Sequence, residues 1–120
     1  MIAPGPSTRV FLALGATDMR KGFDGLFGLV QSKLEADPLS GHLFVFANAA
    51  RNRLKVFYWN GSGMWVCSKR LERGRYRWPE ATGKDGRVEL SAAELTLLLS
   101  GIDLEKTRQR QWWRGYASAG

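Results

Sequence analysis

The side chains of this sequence best suited to chemistry are basic and aromatic residues crowded between Arg51 and Trp78. This stretch contains eight lysines and arginines against one acid, Glu72, whereas the other 92 residues contain ten basic and ten acidic side chains. The formal net charge of +7 is therefore local to it, and so are three of the five tryptophans. Cations beside aromatic rings suit a polyanion, because cations neutralise phosphates while rings stack on bases.

Side chains alternate between the two faces of a sheet along each strand, and this alternation predicts which of these residues are exposed. On or near one open face we place Lys55, Trp59, Trp65, Lys69, Arg75 and Arg77. The complete set of predicted nucleic-acid-binding residues is Arg53, Lys55, Trp59, Trp65, Lys69, Arg70, Arg73, Arg75 and Arg77. A merely solvated sheet face and a contact patch for another protein are the alternatives.

A second basic group, Arg20 and Lys21, lies near a predicted helix start. A helix N-terminus attracts anions, so these two residues are secondary candidates for contact with phosphate, or for pairing with Asp24. Asp18 in the same segment could suggest catalysis, but capping of the helix by Thr17 or Asp18 accounts for the acid more simply.

The sequence offers no catalytic residue, metal ligand set or cofactor motif. His42 is a lone histidine and is predicted to be a hydrogen-bonding residue at a turn or strand end, while Cys67 is predicted to be a small core residue. The acids are too scattered for a two-metal site. A single cysteine suits a reducing compartment, and no apolar run approaches the roughly 20 residues that span a bilayer, so we expect a cytoplasmic protein without membrane contact.

Hydrophobic patterning predicts the elements that must position these residues. Strands are predicted at 9–15, 42–47, 53–59, 64–71 and 75–78, with a further short strand at 87–90. An apolar stripe predicts a helix from about 18 to 35, through Phe23, Leu26, Phe27, Val30 and Leu34. Glycines at 22, 25 and 28 inside it are expected to allow close approach to a sheet.

A second helix, from about 92 to 100, is predicted by the capping box of Ser91 and Glu94 and by leucines at helical spacing. The element order predicts an α+β fold: a mostly antiparallel β meander with both helices packed on one face, forming a single domain over residues 1–103. Residues 104–120 form a basic, tryptophan-containing tail that could be a third helix or an arm.

Several motifs together resemble one known family. They are Thr17-Asp18-Met19-Arg20-Lys21 with Phe23-Asp24-Gly25-Leu26, then Ser40-Gly41-His42-Leu43-Phe44-Val45-Phe46, then Lys55 with Tyr58-Trp59, and finally Lys69-Arg70-Leu71-Glu72 with Gly74 and Trp78-Pro79. In this order, from about Val10 to Ile102, they resemble the small accessory protein called TnpB or Orf2 of the IS66 class of bacterial insertion sequences. It is distinct from the RNA-guided nuclease that shares the label TnpB.

The resemblance implies a helper in DNA transposition that works beside a separate transposase and for which no catalytic role is established. The expected partners are therefore DNA, at element ends or target, and the proteins of the same insertion sequence, with a homo-oligomer left open. The alternative is a protein-interaction module that binds the transposase or another accessory protein without touching DNA.

Overall fold

The computed structural model describes residues 7–79 and 86–100 of the chain. Within these residues the elements follow in the order β1 (Val10–Ala13), α1 (Phe23–Ser32), β2 (Leu43–Ala47), β3 (Arg53–Trp59), β4 (Met64–Arg70), β5 (Arg87–Leu90) and α2 (Ala92–Leu99). The predicted tail at 104–120 lies outside the described residues.

One sheet holds these strands in the spatial order β4-β3-β2-β1-β5. β2, β3 and β4 form the predicted meander, and β5 pairs antiparallel with β1. β1 and β2 are parallel, because helix α1 lies between them in the chain and returns it to the starting end of the sheet. The α+β class with a mostly antiparallel sheet is therefore confirmed.

The prediction that both helices pack on one face is wrong, since they lie on opposite faces. Residues of α1, with Leu34 just beyond it, pack against one set of strand residues, and this α1 face contains Phe11, Ala13, Leu26, Val30, Leu34, Phe44, Phe46 and Phe57. Residues of α2 pack against the alternate set, and this α2 face contains Val10, Leu12, Leu43, Val45, Leu54, Val56, Tyr76, Leu95 and Leu98. Every residue of β1 and β2 is buried, as in strands covered on both sides.

Residues 75–78 were predicted to form a strand, and this prediction is also wrong. The Tyr76 amide donates to the Arg51 carbonyl at 2.6 Å, and the Trp78 indole donates to the Ala13 carbonyl at 2.9 Å. Tyr76 is buried within the α2 face, while Arg75 and Arg77 are exposed. The aromatic side chains of this segment thus anchor it over the core instead of extending the sheet.

Helix α1 begins at Phe23, five residues later than predicted, and its N-cap Gly22 provides no side-chain hydrogen bond. The predicted cap by Thr17 or Asp18 is therefore wrong. Phe23 is 51% exposed because it lies at the very start of the helix, whereas Leu26 and Val30 are buried as predicted. The capping box of α2 is confirmed.

In α2, Ser91 Oγ accepts from the Glu94 amide at 3.1 Å, and Glu94 Oε1 accepts from the Ser91 amide at 3.0 Å.

The glycines of α1 do not serve close packing on the sheet, contrary to expectation. A Cβ at Gly28 would meet open space, and one at Gly25 would meet only the side chain of Lys21.

Candidate nucleic-acid interface

The register of β3 and β4 divides the predicted binding residues between the two faces of the sheet. Arg53, Lys55 and Trp59 alternate with Leu54, Val56 and Tyr58, and only the second set belongs to or packs on the α2 face. Trp65 pairs with Tyr58 and Lys69 with Leu54, so both lie on the α2 face. The predicted single basic-aromatic face is therefore wrong, because it assumed a strand register that is off by one residue.

The basic residues gather instead at one end of the sheet. β1 and β2 end there, β3 begins there, β4 ends there, and the segment 71–79 crosses it through hydrogen bonds from Leu71 to Asn52 and from Tyr76 to Arg51. We call this region the arginine end, and its members are Arg51, Arg53, Arg70, Arg73, Arg75 and Arg77.

Within the arginine end, Arg53 and Arg70 are direct partners across β3 and β4. Both side chains are exposed, and like charges in this position repel each other. Arg70 has a weak counter-charge in Glu72 at 3.6 Å, while Arg53, Arg73 and Arg75 have no carboxylate within 4.0 Å among the described residues. The arrangement favours an external anion.

The two lysines of the predicted site have structural partners. Lys55 Nζ donates to the carbonyl of Lys21, just before α1, at 2.8 Å. Lys69 Nζ donates to the carbonyl of Leu99 at the end of α2, where a cation also complements the helix dipole. Each ammonium group therefore links a strand to a helix terminus by a hydrogen bond. Both lysines are less available to a ligand than the alternation of side chains along the strands predicted.

The aromatic members lie at the opposite end of the hairpin. Trp59 pairs with Met64 beside the turn, and Trp65 stacks on Tyr58 with ring centroids 6.1 Å apart and planes at 10°. A strand rises about 3.3 Å per residue, so Trp59 lies roughly 20 Å from Arg53. Trp65 is 50% exposed. We call the group of Tyr58, Trp59 and Trp65 the hairpin tip. The structure therefore separates the aromatic hairpin tip from the arginine end.

The secondary phosphate candidates belong to a loop before α1. The Arg20 side chain donates to Oδ1 of Asp18 at 3.1 Å and to Oδ2 at 2.8 Å, and the Arg20 amide also donates to Oδ1. These hydrogen bonds lower the pKa of Asp18 to about 2. Arg20 is thus already paired, whereas Lys21 is exposed and contributes its carbonyl to Lys55.

Arg51 was counted in the charge of the stretch but not predicted as a site residue. Asn48 Oδ1 accepts from the amides of Asn52 and Arg53 at 3.1 Å each, which closes the predicted turn and holds Arg51 at a φ of 59°. Its guanidinium donates to the Gly15 carbonyl at 3.0 Å and lies 5.3 Å from the centre of the Trp78 ring. No periodicity in the sequence links position 51 to position 15.

Of the two other single candidates, His42 has the structural role that the sequence indicated, whereas the prediction that Cys67 is a core residue is wrong, because Cys67 is only half-buried. His42 Nδ1 accepts from the amide of Arg9 at 2.9 Å, which confirms the predicted hydrogen bond at a strand end. Within 7–79 and 86–100, no three acidic, histidine or cysteine side chains come together as a metal site would require. No helix in these ranges has the length and apolar character needed to cross a membrane.

This fold, with its basic end and no grouping of metal ligands among the described residues, accompanies a clear family match. Residues 8–109 match the family described as IS66 Orf2 like protein. The chain therefore belongs to the IS66 Orf2-like family, which consists of accessory proteins of insertion sequences and is not a known enzyme family.

Two relatives come from Sinorhizobium fredii, and both are described as uncharacterized. The chain is 44% identical to the protein y4hO over 114 residues, which cover 95% of this chain and 96% of y4hO. It is 39% identical to the protein y4jC over 110 residues, which cover 92% of each chain. No solved structure matches the chain.

Proposed function

We propose that this accessory protein binds DNA through the arginine end and thereby assists a separate transposase. The proposal moves the predicted interface from a sheet face to a sheet end, but it retains Arg53, Arg70, Arg73, Arg75 and Arg77 as the binding residues. The DNA would belong to the element ends or to the target.

The observation that carries the proposal is the cross-strand pair of Arg53 and Arg70, together with exposed Arg73 and Arg75 that lack a carboxylate partner among the described residues. Like charges at this spacing raise the energy of the free protein, and phosphates would remove that repulsion. Neutralised phosphates release condensed counterions, which supplies most of the affinity of sequence-independent DNA binding. Guanidinium groups also match phosphate oxygens bidentately.

The hairpin tip supports a second candidate function, contact with the transposase or another protein. Trp65 is half exposed and rests on Tyr58, so one face of its ring is already occupied by a parallel ring. Exposed tryptophan and tyrosine commonly anchor protein interfaces. The same ring could also stack on an unpaired base, and an experiment has to separate the two possibilities.

The test is binding of the purified chain to element-end duplex, random duplex and single-stranded DNA across a salt series. The proposal expects binding to all duplexes that weakens steeply with salt. Trp65→Leu should leave duplex affinity within about twofold, because the hairpin tip lies far from the arginine end. A chain that binds transposase but shows no salt-sensitive affinity for any DNA would replace this proposal by the protein-interaction module.

A further inference from the structure

We propose that Lys33 and Arg51 form a binding site for a single phosphate group beside the backbone of Gly15, at the end of β1. The ligand is a phosphate monoester, a diester of a DNA backbone or free inorganic phosphate, which share the oxyanion chemistry. Lys33 lies outside the arginine end. Arg51 is a member of it, but it is half-buried and is not among the exposed residues on which the proposed DNA interface rests, so this site stands on separate observations.

Both cationic side chains converge on one residue from distant parts of the chain. Arg51 Nη1 donates to the Gly15 carbonyl at 3.0 Å. Lys33 Nζ lies 3.5 Å from the position that a Cβ on Gly15 would occupy. Lys33 caps the C-terminal end of α1 and Arg51 lies in the turn before β3, so the crossover and the meander meet here.

These two cations have no ion-pair partner within the described part of the chain. Neither has a carboxylate within 4.0 Å there, although both are half-buried. Burial lowers the pKa of Arg51, and burial together with the charge of Arg51 lowers the pKa of Lys33. Two cations that are partly desolvated and repel each other gain more from an anion than exposed cations do.

Arg51 is also held in place before any ligand arrives. Its positive φ of 59° is uncommon for a residue with a side chain, and the Asn48 hydrogen bonds maintain it. The Trp78 ring lies against the guanidinium, which has five donors and spends one of them on Gly15. A side chain fixed in this way loses little entropy on binding.

An unsatisfied hydroxyl lies close by in the same end of the sheet. Thr17, two residues after Gly15, is only 6% exposed, and its Oγ1 has no hydrogen-bond partner among the described residues. Its amide donates to the Ala47 carbonyl at 2.7 Å, which places it at the end of β2. The site therefore lies outside the carboxyl ends of the parallel strands β1 and β2, where ligands of α/β sheets commonly bind.

In the test, the full chain is titrated with inorganic phosphate, which replaces chloride so that the ionic strength stays constant. Backbone amide chemical shifts are followed by NMR. We expect saturable shifts centred on Gly15, Thr17 and Arg51. Lys33→Met keeps the apolar stem and removes the charge, and it should weaken phosphate binding at least tenfold. Lys33→Arg should retain most of the affinity. Arg9→Met is the matched control, since it removes one charge at the other end of β1 and should change the affinity less than twofold.

The same variants distinguish the sources of the phosphate. Loss of both phosphate and duplex affinity in Lys33→Met identifies a DNA backbone phosphate, whereas loss of phosphate affinity alone identifies a free phosphorylated ligand. Wild-type shifts that do not saturate, or equal weakening by Lys33→Met and Arg9→Met, would overturn the site. Duplex binding that depends on Arg53 and Arg73 but not on Lys33 would leave the proposed function intact, so the two failures are distinguishable.

Discussion

Arg53 and Arg70 face each other directly across β3 and β4, at the end of the sheet that the segment 71–79 crosses. This pairing costs free energy in the isolated protein, because cross-strand neighbours have Cβ atoms only about 5 Å apart. A phosphate bound between the two guanidinium groups would offset this cost. Under the proposed function, the stability of the free chain and its affinity for DNA should therefore respond in opposite directions to the same substitution.

The first prediction concerns these opposite responses of stability and DNA affinity. Arg53→Glu converts a repulsive pair into an attractive one, so the free energy of unfolding without DNA should rise by about 0.5 kcal/mol or less at low salt. DNA affinity should fall. Arg53→Gln is the matched control, because it removes the repulsion without adding attraction and should give an intermediate stability. Urea denaturation at two salt concentrations measures the stability of the two variants, and a duplex-binding titration measures their DNA affinity. Equal destabilisation by the two variants would show that Arg53 has a structural role instead.

The second prediction uses two glycines with opposite surroundings. Gly28→Ala places a methyl group in open space within α1, so it should stabilise the protein by about 0.5–1 kcal/mol through helix propensity. Gly86→Ala would bring its Cβ to 2.8 Å from the Lys33 carbonyl, and it should destabilise the protein by about 1–3 kcal/mol. Thermal unfolding of both variants is the measurement. The same sign for both would contradict the described position of one of the two glycines.

Most of the elements could be predicted from the sequence, because their signals are local. β3 is bounded as predicted from its β-branched and aromatic residues, and α2 from its capping box. The relative placement of the elements could not be predicted in the same way. β1 and β2 are apolar throughout, which is typical of strands covered on both faces, but nothing in the sequence shows which helix covers which face.

The candidate site was predictable in composition but not in position. The excess charge of residues 51–78 is plain in the sequence, yet its arrangement depends on the register of β3 and β4, which the hydrogen-bonded turn at residues 60–63 sets. Lys33 and Arg51 meet only through tertiary structure. Tyr76 and Trp78 resembled a strand because they alternate with arginines, and burial of these two aromatic rings overrode that alternation.

The third prediction concerns the pKa of Asp18, which hydrogen bonds from Arg20 lower to about 2. A carboxyl whose folded-state pKa lies below its unfolded value contributes stability at higher pH, and this contribution is lost as pH falls from about 4 towards 2. Arg20→Met should raise the pKa of Asp18 towards its ordinary value. Lys21→Met is the control and should hardly change it, since Lys21 is the weakest of the contributing causes. Carboxyl carbon NMR titration provides the values, and an unshifted pKa in Arg20→Met would contradict the ion pair.

The fourth prediction separates the buried and exposed parts of α1. Leu26→Ala removes a fully buried side chain from the α1 face and should cost about 2–5 kcal/mol. Phe23→Ala removes a larger side chain that is half exposed, and its effect should stay within about 0.5 kcal/mol. Chemical denaturation compares the two variants. A large cost at Phe23 would indicate that the helix starts earlier, as the sequence had suggested.

The measurement that bears most directly on the proposed function is the salt dependence of duplex DNA binding after three arginines of the arginine end are replaced. Replacing Arg53, Arg73 and Arg75 together by Gln should reduce the slope of log K against log salt by about 2.7, because each lost phosphate contact contributes about 0.9. Arg9→Gln, at the other end of β1 and paired with Glu89, is the control and should leave the slope unchanged. A triple variant that binds duplex with the wild-type slope would contradict the account, since the three exposed arginines without a carboxylate partner among the described residues would then make no contact with DNA.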